Sequence, residues 1–196
     1  KQMDSPIPQI YPDYKKQTPY AHDLQKAKEL LTAAGMPHGF STTLSYDAAR
    51  PDQEQIAVLM KSSCAQIGIK LALSKLPSAT FSDLQQKRKL ALFFWQDMPI
   101  QPDPGHALYL YYYGPAFTTY SNYNDSRVNK LIDVATSTPP GAARSKALDE
   151  AQALIWKDAP HIWIVWPGWH YSPRDTVSGV NWLPGNNTRW ELLTKS

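Results

Sequence analysis

The stretch that decides the predicted fold is Leu-Ala-Leu-Phe-Phe-Trp-Gln, residues 90–96, which is apolar on both of its faces. A strand covered on both sides has an uninterrupted apolar run of this kind, whereas a strand with one solvated face alternates. The run is much shorter than the ~20 apolar residues that a membrane-spanning helix needs. We therefore predict a central β-strand at residues 90–96.

Two strand–helix units precede this strand, after a first helix that begins at Asp23 and ends at Gly35. Residues 42–46 and 69–74 have strand patterns, and Pro51 is a favourable first-turn residue for a helix over residues 51–66. The predicted buried face of that helix is Ile56, Leu59, Met60, Cys64 and Ile67. A capping-box pattern at Thr80 predicts a short helix over residues 80–88. The alternation of strands and helices predicts an α/β sheet with right-handed crossovers.

Further helices are predicted after the central strand. Asn124 or Asp125 caps one, residues 139–141 break it, and another runs over residues 142–158. Residues 161–166 have a strand pattern. Residues 1–20 contain four prolines and no periodicity, so we predict an extended lead-in that packs against something outside this chain.

Composition excludes several classes of protein. The 196 residues are 42% hydrophobic with a formal charge of +3, which fits a globular domain and lacks the dense basic stripe of a nucleic-acid surface. No segment predicts membrane insertion, and the first residues carry no signal-peptide pattern. The single cysteine, Cys64, excludes an internal disulfide and a cysteine-rich zinc site, and it fits a small core position.

Aromatic residues are unusually abundant and clustered. Six of the seven tryptophans lie between Trp156 and Trp190, and tyrosines crowd residues 109–123. Trp and Tyr combine a rigid apolar face with one polar group, which suits binding surfaces that stay solvated. The cluster as a whole therefore predicts a binding surface, although for any one of these side chains a core or sheet-packing position is the favoured interpretation.

Motifs for catalysis and metal binding are missing from the sequence. It has no Gly-x-Ser-x-Gly elbow, His-Glu-x-x-His pair, phosphate loop or dinucleotide fingerprint, and its five histidines lie far apart. We therefore predict a protein that is not an enzyme and that has neither a cofactor nor a metal site.

The chemistry-bearing segment is residues 95–106, which leaves the carboxyl end of the predicted central strand. Ligands of open α/β sheets bind outside such strand ends. Asp97, two residues after Trp95, suits a ligand ammonium group, and the indole can add a cation–π contribution of roughly 0.5–2 kcal/mol. The alternative is a solvated turn in which Asp97 and Asp103 cap the loop.

Five segments in order resemble family 5 extracytoplasmic solute-binding proteins, the dipeptide, oligopeptide and nickel group of ABC importers. They are Asp-Leu-Gln-Lys-Ala-Lys-Glu-Leu-Leu-Thr-Ala-Ala-Gly at 23–35, residues 55–69, residues 95–104, Ser-Asn-Tyr-Asn-Asp at 121–125 with its helix, and residues 151–165. The resemblance implies a lobe of the type II periplasmic-binding-protein kind, with a mixed sheet and helices on both faces.

Members of that family are longer than this chain and have two lobes that close on a ligand. The resemblance therefore implies a fragment of a two-lobed protein. Residues 1–20 would be the lead-in, residues 21–165 the C-terminal ligand-binding lobe, and residues 166–196 a tail that returns to the missing N-terminal lobe. It also implies a periplasmic or extracytoplasmic location, a peptide or small zwitterion as ligand, and an ABC permease as partner.

The resemblance also implies ligand-binding positions. Asp97 matches the acidic residue that meets a ligand amino group, and Asp103 matches the aspartate of the family's Asp-Pro pair; the loop spacing differs, so either carboxylate could face the cleft. Nickel-chelate relatives place a histidine directly after that pair, whereas Gly105 intervenes here, which weakens a metal role. The predicted site is Trp95, Asp97, Asp103, Tyr46, Arg50, His106 and Tyr111. In this set the planar fork of Arg50 suits a ligand carboxylate.

Two other functions fit the sequence. A carbohydrate-active hydrolase, or a sugar-binding module, would use Asp97 and Asp103 as paired carboxylates beside aromatic sugar platforms. A free-standing interaction domain would use the tryptophan-rich tail to bind a second polypeptide.

Overall fold

The computed structural model describes residues 2–97, 101–166, 172–183 and 187–195. The chain forms two compact units: one is Tyr20–Gln96, and the other combines Lys1–Pro19 with Asp97–Ser196. We call them the inserted unit and the flanking unit. The predicted lobe boundaries at residues 20 and 165 stay a prediction.

The inserted unit is a three-stranded parallel sheet with helices connecting its strands. Its elements in chain order are α1 (Leu24–Ala33), β1 (Ser41–Asp47), α2 (Pro51–Ala65), β2 (Lys70–Leu76), α3 (Ser78–Gln86) and β3 (Leu92–Phe93). The strand order is β2-β1-β3, and Leu44 of β1 pairs with Leu73 on one side and Leu92 on the other. Parallel neighbours require helical crossovers, which these helices supply. The predicted α/β class is therefore confirmed.

The prediction of a central strand at residues 90–96 was wrong. Among the described strands β1 is central, with Leu44 and Tyr46 buried, whereas β3 is a two-residue outer strand whose side chains are half-buried. The apolar run shows that the segment is hydrophobic, but it does not determine how many neighbouring strands hydrogen-bond to its backbone. Register with β1 lasts for only two residues here.

The buried face of helix α2 is narrower than predicted and is centred on Gln53 and Ala57. Gln53 and Ala57 are buried, while Leu59 is 69% exposed. Leu59 follows Ala57 by two residues, and at 100° per residue it lies on the opposite side of the helix. Ile56, Met60 and Cys64 are half-buried, and burial raises the pKa of the Cys64 thiol. The expectation for Leu59 was wrong because the predicted face was drawn too wide.

Two glycines allow a close backbone approach at the start of the parallel strand pair. Gly39 and Gly68 both have positive φ, at 74° and 82°. A Cβ on Gly39 would lie 2.2 Å from the carbonyl oxygen of Gly68. The turn before β1 therefore touches the turn before β2 through backbone alone.

The flanking unit is built on three helices: α4 (Pro104–Tyr112), α5 (Ser126–Ser137) and α6 (Ala142–Asp158). Its core comprises Ile7, Tyr11, Ala107, Leu108, Tyr112, Val128, Ile132, Ala135, Leu148, Ala151 and Ile155. Helices α5 and α6 match the predicted ranges, whereas α4 begins in the segment predicted as a loop and continues through residues 107–112, for which no element was predicted. No helix in the described ranges is both long and apolar enough to cross a membrane.

The N-terminal lead-in packs on α6 of this same chain. Gln152, fully buried, accepts hydrogen bonds from Ser5 Oγ and the Lys15 backbone N–H, both at 3.0 Å, and donates to the carbonyl of Asp13 at 2.9 Å. Its Nε2 also donates to the carbonyl of Leu148. The expectation that the lead-in packs on something outside the chain was wrong, because a buried glutamine supplies the partners.

Part of the aromatic cluster is core. The Trp156 and Trp163 rings stack at 4.4 Å, and Trp163 Nε1 donates to the hydroxyl of buried Tyr112 at 3.1 Å. Trp190, in a 3₁₀ helix (Trp190–Leu192), is 73% exposed. Trp169 lies outside the described residues. Trp156 and Trp163 therefore pack inside the flanking unit and do not form part of the expected binding surface.

Short elements complete the chain. The predicted strand at residues 161–166 is reduced to one antiparallel bridge between Val165 and Gln2. Beyond it, β4 (Val177–Ser178) pairs with β7 (Thr194–Lys195), and β5 (Trp182–Leu183) pairs with β6 (Asn187–Thr188), both antiparallel.

Candidate functional site

The seven predicted ligand-binding residues divide between the two units. Tyr46, Arg50 and Trp95 belong to the inserted unit, and Asp97, Asp103, His106 and Tyr111 belong to the flanking unit. Residues 98–100 of the chemistry-bearing segment lie outside the described residues. Each group is therefore described within its own unit.

Arg50 lies where β1 gives way to α2, at the carboxyl end of the parallel strands. It is the residue before Pro51, and its backbone leaves the helical region there, as the steric effect of proline requires. Its Nε and Nη2 donate to the two oxygens of Asp52 at 3.1 and 3.0 Å, and Nη2 also contacts Gln96 Oε1. The guanidinium group thus links the start of α2 to the segment that follows β3.

A second polar group lies at the same strand ends. Tyr46 is buried, and its hydroxyl donates to Glu54 Oε1 at 3.3 Å, while Lys75 pairs with Glu54 Oε2 at 2.8 Å. Burial and the neighbouring Glu54 charge raise the pKa of Tyr46, and the hydrogen bond from Lys75 lowers the pKa of Glu54. The Tyr46 hydroxyl is therefore already engaged by its own unit.

Trp95 is 44% exposed and directly precedes Gln96, the residue that Arg50 contacts. The Arg50 guanidinium group and the exposed Trp95 indole thus both belong to segments at the carboxyl end of this sheet. Carboxyl ends of parallel strands are where ligands of open α/β sheets bind.

Asp103 is held by its own unit through both carboxylate oxygens. It caps α4 by accepting the His106 backbone N–H at 2.8 Å, and it pairs with Arg144 Nη2 at 2.6 Å. Burial raises its pKa, but these hydrogen bonds and the Arg144 charge outweigh that effect and hold the pKa below its usual range. Arg144 also donates to the carbonyl of Ala135 at 2.8 Å.

The surroundings of this ion pair form an open pocket of about 490 Å³. Its lining residues are Gln101, Asp103, His106, Tyr109, Thr136, Thr138, Pro140 and Arg144. His106 enters the ion-pair network only through its backbone N–H. One oxygen of Asp103 accepts the His106 N–H and the other pairs with Arg144, so the structure does not favour Asp103 as the proton donor of a glycoside hydrolase.

Tyr111 and Asp97 contrast in their surroundings. Asp97 is exposed, whereas the Tyr111 hydroxyl is buried and makes no hydrogen bond within the described part of the chain. Burial, and then the charge of Asp97, raise the pKa of Tyr111. Its neighbour Tyr112 faces the core instead, so the tyrosine run divides between two faces as its helical spacing requires.

Metal-binding geometry was sought in the same ranges. Among the described residues no group of three or more His, Cys, Asp or Glu side chains is placed to hold a metal ion. The sequence reasoning also missed three residues of the observed networks: Asp52, Gln96 and Arg144. Gln96 contacts Arg50 and Arg144 pairs with Asp103, each more than 40 residues away in sequence, whereas Asp52 pairs with Arg50 only two residues before it.

Comparison with known proteins decides the family. Residues 1–119 match the model described as bacterial extracellular solute-binding proteins, family 5 middle. The chain belongs to this family. The resemblance on which the sequence prediction rested is thereby confirmed.

Curated family 5 relatives are longer than this chain. The chain is 28% identical over 189 residues to the probable D,D-dipeptide-binding periplasmic protein DdpA of Escherichia coli, covering 94% of this chain and 36% of that protein. It is 27% identical over 156 residues to the glutathione-binding protein GsiB of Salmonella choleraesuis, covering 75% and 30%. The chain thus spans about a third of the length of these relatives.

Solved structures confirm the fold class. The periplasmic binding protein DppA of Helicobacter pylori, in complex with the peptide STSA, is 28% identical with a TM-score of 0.82, covering 92% of this chain and 36% of that one. The oligopeptide-binding protein AppA of Bacillus subtilis, in complex with a nonapeptide, is 17% identical with a TM-score of 0.86, covering 100% and 42%. At the lower identity the likeness concerns the fold alone. The lobe is of the type II periplasmic-binding-protein kind.

Proposed function

We propose that the protein containing this chain captures a small solute outside the cytoplasm and delivers it to an ABC permease. The solute is a short peptide or another small zwitterion. The observation that carries the proposal is the family 5 match over residues 1–119. The names of the relatives, which include dipeptide-binding, glutathione-binding and peptide-complexed proteins, support the ligand class.

Capture requires a conformational step. The chain spans about a third of its curated relatives, and we propose that the remaining length supplies a second lobe that closes on the ligand. A ligand drives closure only by as much as it binds the closed state better than the open one. Contacts made on one lobe alone therefore give weak binding, and enclosure by both gives the full affinity.

Chemical roles follow from the two ends of a zwitterion. We propose that Asp97, exposed beside the inserted unit's Trp95 in sequence, accepts the ligand ammonium group. Arg50, with its planar fork at the carboxyl end of the strands, takes the ligand carboxylate. Asp103 supports the site by fixing α4, because its oxygens are already engaged by His106 and Arg144.

We propose no catalytic role for these groups. Binding proteins hold a ligand unchanged, and both oxygens of Asp103 are already engaged by His106 and Arg144. The proposed roles of Asp97 and Arg50 need only charge and hydrogen bonding.

Calorimetric titration of the intact protein tests the proposal. The probes are D-alanyl-D-alanine, glutathione and the peptide Ser-Thr-Ser-Ala, each beside its N-acetylated form. Binding of at least one free probe, weakened by N-acetylation, is expected. Absence of binding to all three, together with native mass spectra that show no co-purified solute, would contradict the proposal.

A further inference from the structure

The Nε–Nη2 edge of Arg50 is already occupied by a carboxylate of the same chain. Arg50 Nε lies 3.1 Å from Asp52 Oδ1, and Nη2 lies 3.0 Å from Asp52 Oδ2. This is the paired, side-on arrangement in which a guanidinium group recognises a carboxylate. A ligand carboxylate that bound side-on at this edge of Arg50 would need the same two donors.

Asp52 is held at this position by its place in the helix. It follows Pro51 in the first turn of α2, where the positive end of the helix dipole favours a negative charge. Only one residue separates it from Arg50, so the two side chains meet at a high effective concentration. The pairing therefore forms without help from any other element.

Exposure makes the pair easy to open. The side chain of Arg50 is 37% exposed and that of Asp52 is 56% exposed. Ion pairs between exposed side chains contribute little to stability, because water solvates both partners nearly as well. Asp52 can therefore leave Arg50 and return to solvent at small cost.

The contact with Gln96 has a different role. Its side-chain oxygen accepts from Arg50 Nη2 without adding charge. When Asp52 leaves, the guanidinium group keeps this neutral contact at the end of the segment that follows β3. Displacement of Asp52 thus exposes the Nε–Nη2 edge of the Arg50 guanidinium group, while the contact with Gln96 still holds that group in place.

We propose that Asp52 is an internal stand-in for the ligand carboxylate: it occupies the Nε–Nη2 edge of Arg50 in the unliganded protein and is displaced when a carboxylate-bearing solute binds. This inference rests on the proposed function, because it assigns Arg50 to the ligand. It makes Asp52 a residue that sets specificity, since solutes without a carboxylate gain nothing from opening the pair.

The test compares Asp52→Asn with wild type in the intact protein by calorimetry. The probes are D-alanyl-D-alanine and its C-terminal amide. Asparagine keeps the size of the side chain but competes weakly for the guanidinium edge. Asp52→Asn is expected to bind the free dipeptide about two- to fivefold more tightly and the amide unchanged.

The matched control is Asp83→Asn, which removes an exposed carboxylate of α3 in the same unit that pairs with Lys87. It reproduces the change in net charge without touching Arg50, so its affinity for both probes should equal that of wild type. A crystal structure of the dipeptide complex adds a second readout, in which Asp52 is expected to have left Arg50. Circular dichroism confirms that both variants fold.

The outcomes separate the two proposals. If wild type binds neither probe nor any other zwitterion, the proposed function fails. If wild type binds the dipeptide but Asp52→Asn binds it equally or more weakly, only the stand-in role fails. A crystal structure of the dipeptide complex in which the Arg50–Asp52 pair is intact would also contradict the stand-in role alone. A gain that extends equally to the amide also overturns the stand-in role.

Discussion

Asp103 and Arg144 form an ion pair at 2.6 Å in which the guanidinium side chain is 10% exposed and the carboxylate also caps α4. A buried cation that loses its partner is costly, whereas a helix cap can be supplied by several side chains. Asp103 therefore stabilises the fold in two ways, as the charge partner of Arg144 and as the cap of α4, and different substitutions can separate the two contributions.

Asp103→Ala should lower the free energy of unfolding by about 3 kcal/mol, because it removes the cap and leaves Arg144 without its charge partner. Asp103→Asn keeps a good capping side chain and should cost about half as much. Urea denaturation measures both. Equal losses for the two variants would show that only the charge matters.

Replacing Gln152 should detach the lead-in from α6. Gln152→Ala leaves Ser5, the Lys15 N–H and the Asp13 carbonyl without their partner, and should cost about 2–4 kcal/mol. Hydrogen exchange at the Lys15 amide should accelerate at least tenfold. Glu150→Ala, an exposed substitution on the same helix, should change stability by less than about 0.5 kcal/mol. An unchanged Lys15 amide in Gln152→Ala would contradict the network.

His161 should make stability depend on pH. Burial against Tyr112 and Trp163 lowers its pKa from 6.5 to about 4, so the folded protein favours the neutral ring. The unfolded chain binds a proton near pH 6.5, so this contribution is complete above that pH and is lost as the pH falls toward 4. Between pH 7.5 and pH 5 the loss should be about 2 kcal/mol.

Urea denaturation at several pH values checks this dependence. His161→Gln should flatten the profile between pH 4 and 6.5. His22→Gln, at an exposed position before α1, should leave the profile as in wild type. A profile unaffected by His161→Gln would assign the pH dependence to another group.

Gly39→Ala should be much more damaging than Gly35→Ala. Both glycines have positive φ, which costs an alanine about 1 kcal/mol, and Gly35 has open space around it. At Gly39 the added methyl would also meet the Gly68 carbonyl, so the total should reach about 3 kcal/mol or more. Thermal unfolding of the two variants measures the difference, and equal midpoints would refute the close approach.

Asp97→Asn should weaken binding of an amine-bearing ligand in the intact protein by about thirtyfold or more, since the ammonium group loses its counter-charge. The N-acetylated ligand has no such charge and should bind both forms alike. Glu150→Gln supplies a charge-matched control in the flanking unit. Calorimetry showing unchanged affinity for the free amine would remove Asp97 from the site.

Local signals predicted much of the fold. The first helix was expected to begin at Asp23, and either Asn124 or Asp125 was expected to cap α5; in the structure Asp23 and Asp125 accept backbone N–H groups at the starts of α1 and α5. Capping and periodicity depend on neighbours within one or two turns, so they can be read from sequence alone. The strands β1 and β2 followed from their own apolar patterns for the same reason.

Elements that depend on distant partners were missed. Helix α4 is apolar around most of its circumference and carries no helical stripe, so its Asp103–Pro104 start was taken for a loop. The length of β3 depends on how far β1 accompanies it, which residues 90–96 do not encode. The start of α4 and the length of β3 therefore depend on tertiary contacts that the local sequence does not show.

The candidate site shows the same difference between local signals and contacts that depend on side-chain or tertiary arrangement. Asp97 was selected because it follows Trp95 at the end of a predicted strand, and Arg50 because the family resemblance places it at the cleft; the ligand roles of both stay predictions. The partnership of Arg50 with Asp52 was not predicted, since two exposed charges in a turn have many possible rotamers. The engagement of Asp103 by Arg144, 41 residues later, depends on how α4 meets α6.

The interrupted path of the flanking unit constrains how the protein folds. Ser5 hydrogen-bonds to Gln152, which is 147 residues later, and the whole inserted unit lies between them. Contacts between residues so far apart in sequence form slowly, because closing the long intervening loop costs conformational entropy before the contact is made. We therefore expect residues 20–96 to fold into their own unit first, and Ile7 and Tyr11 to become buried only when the flanking unit closes around them.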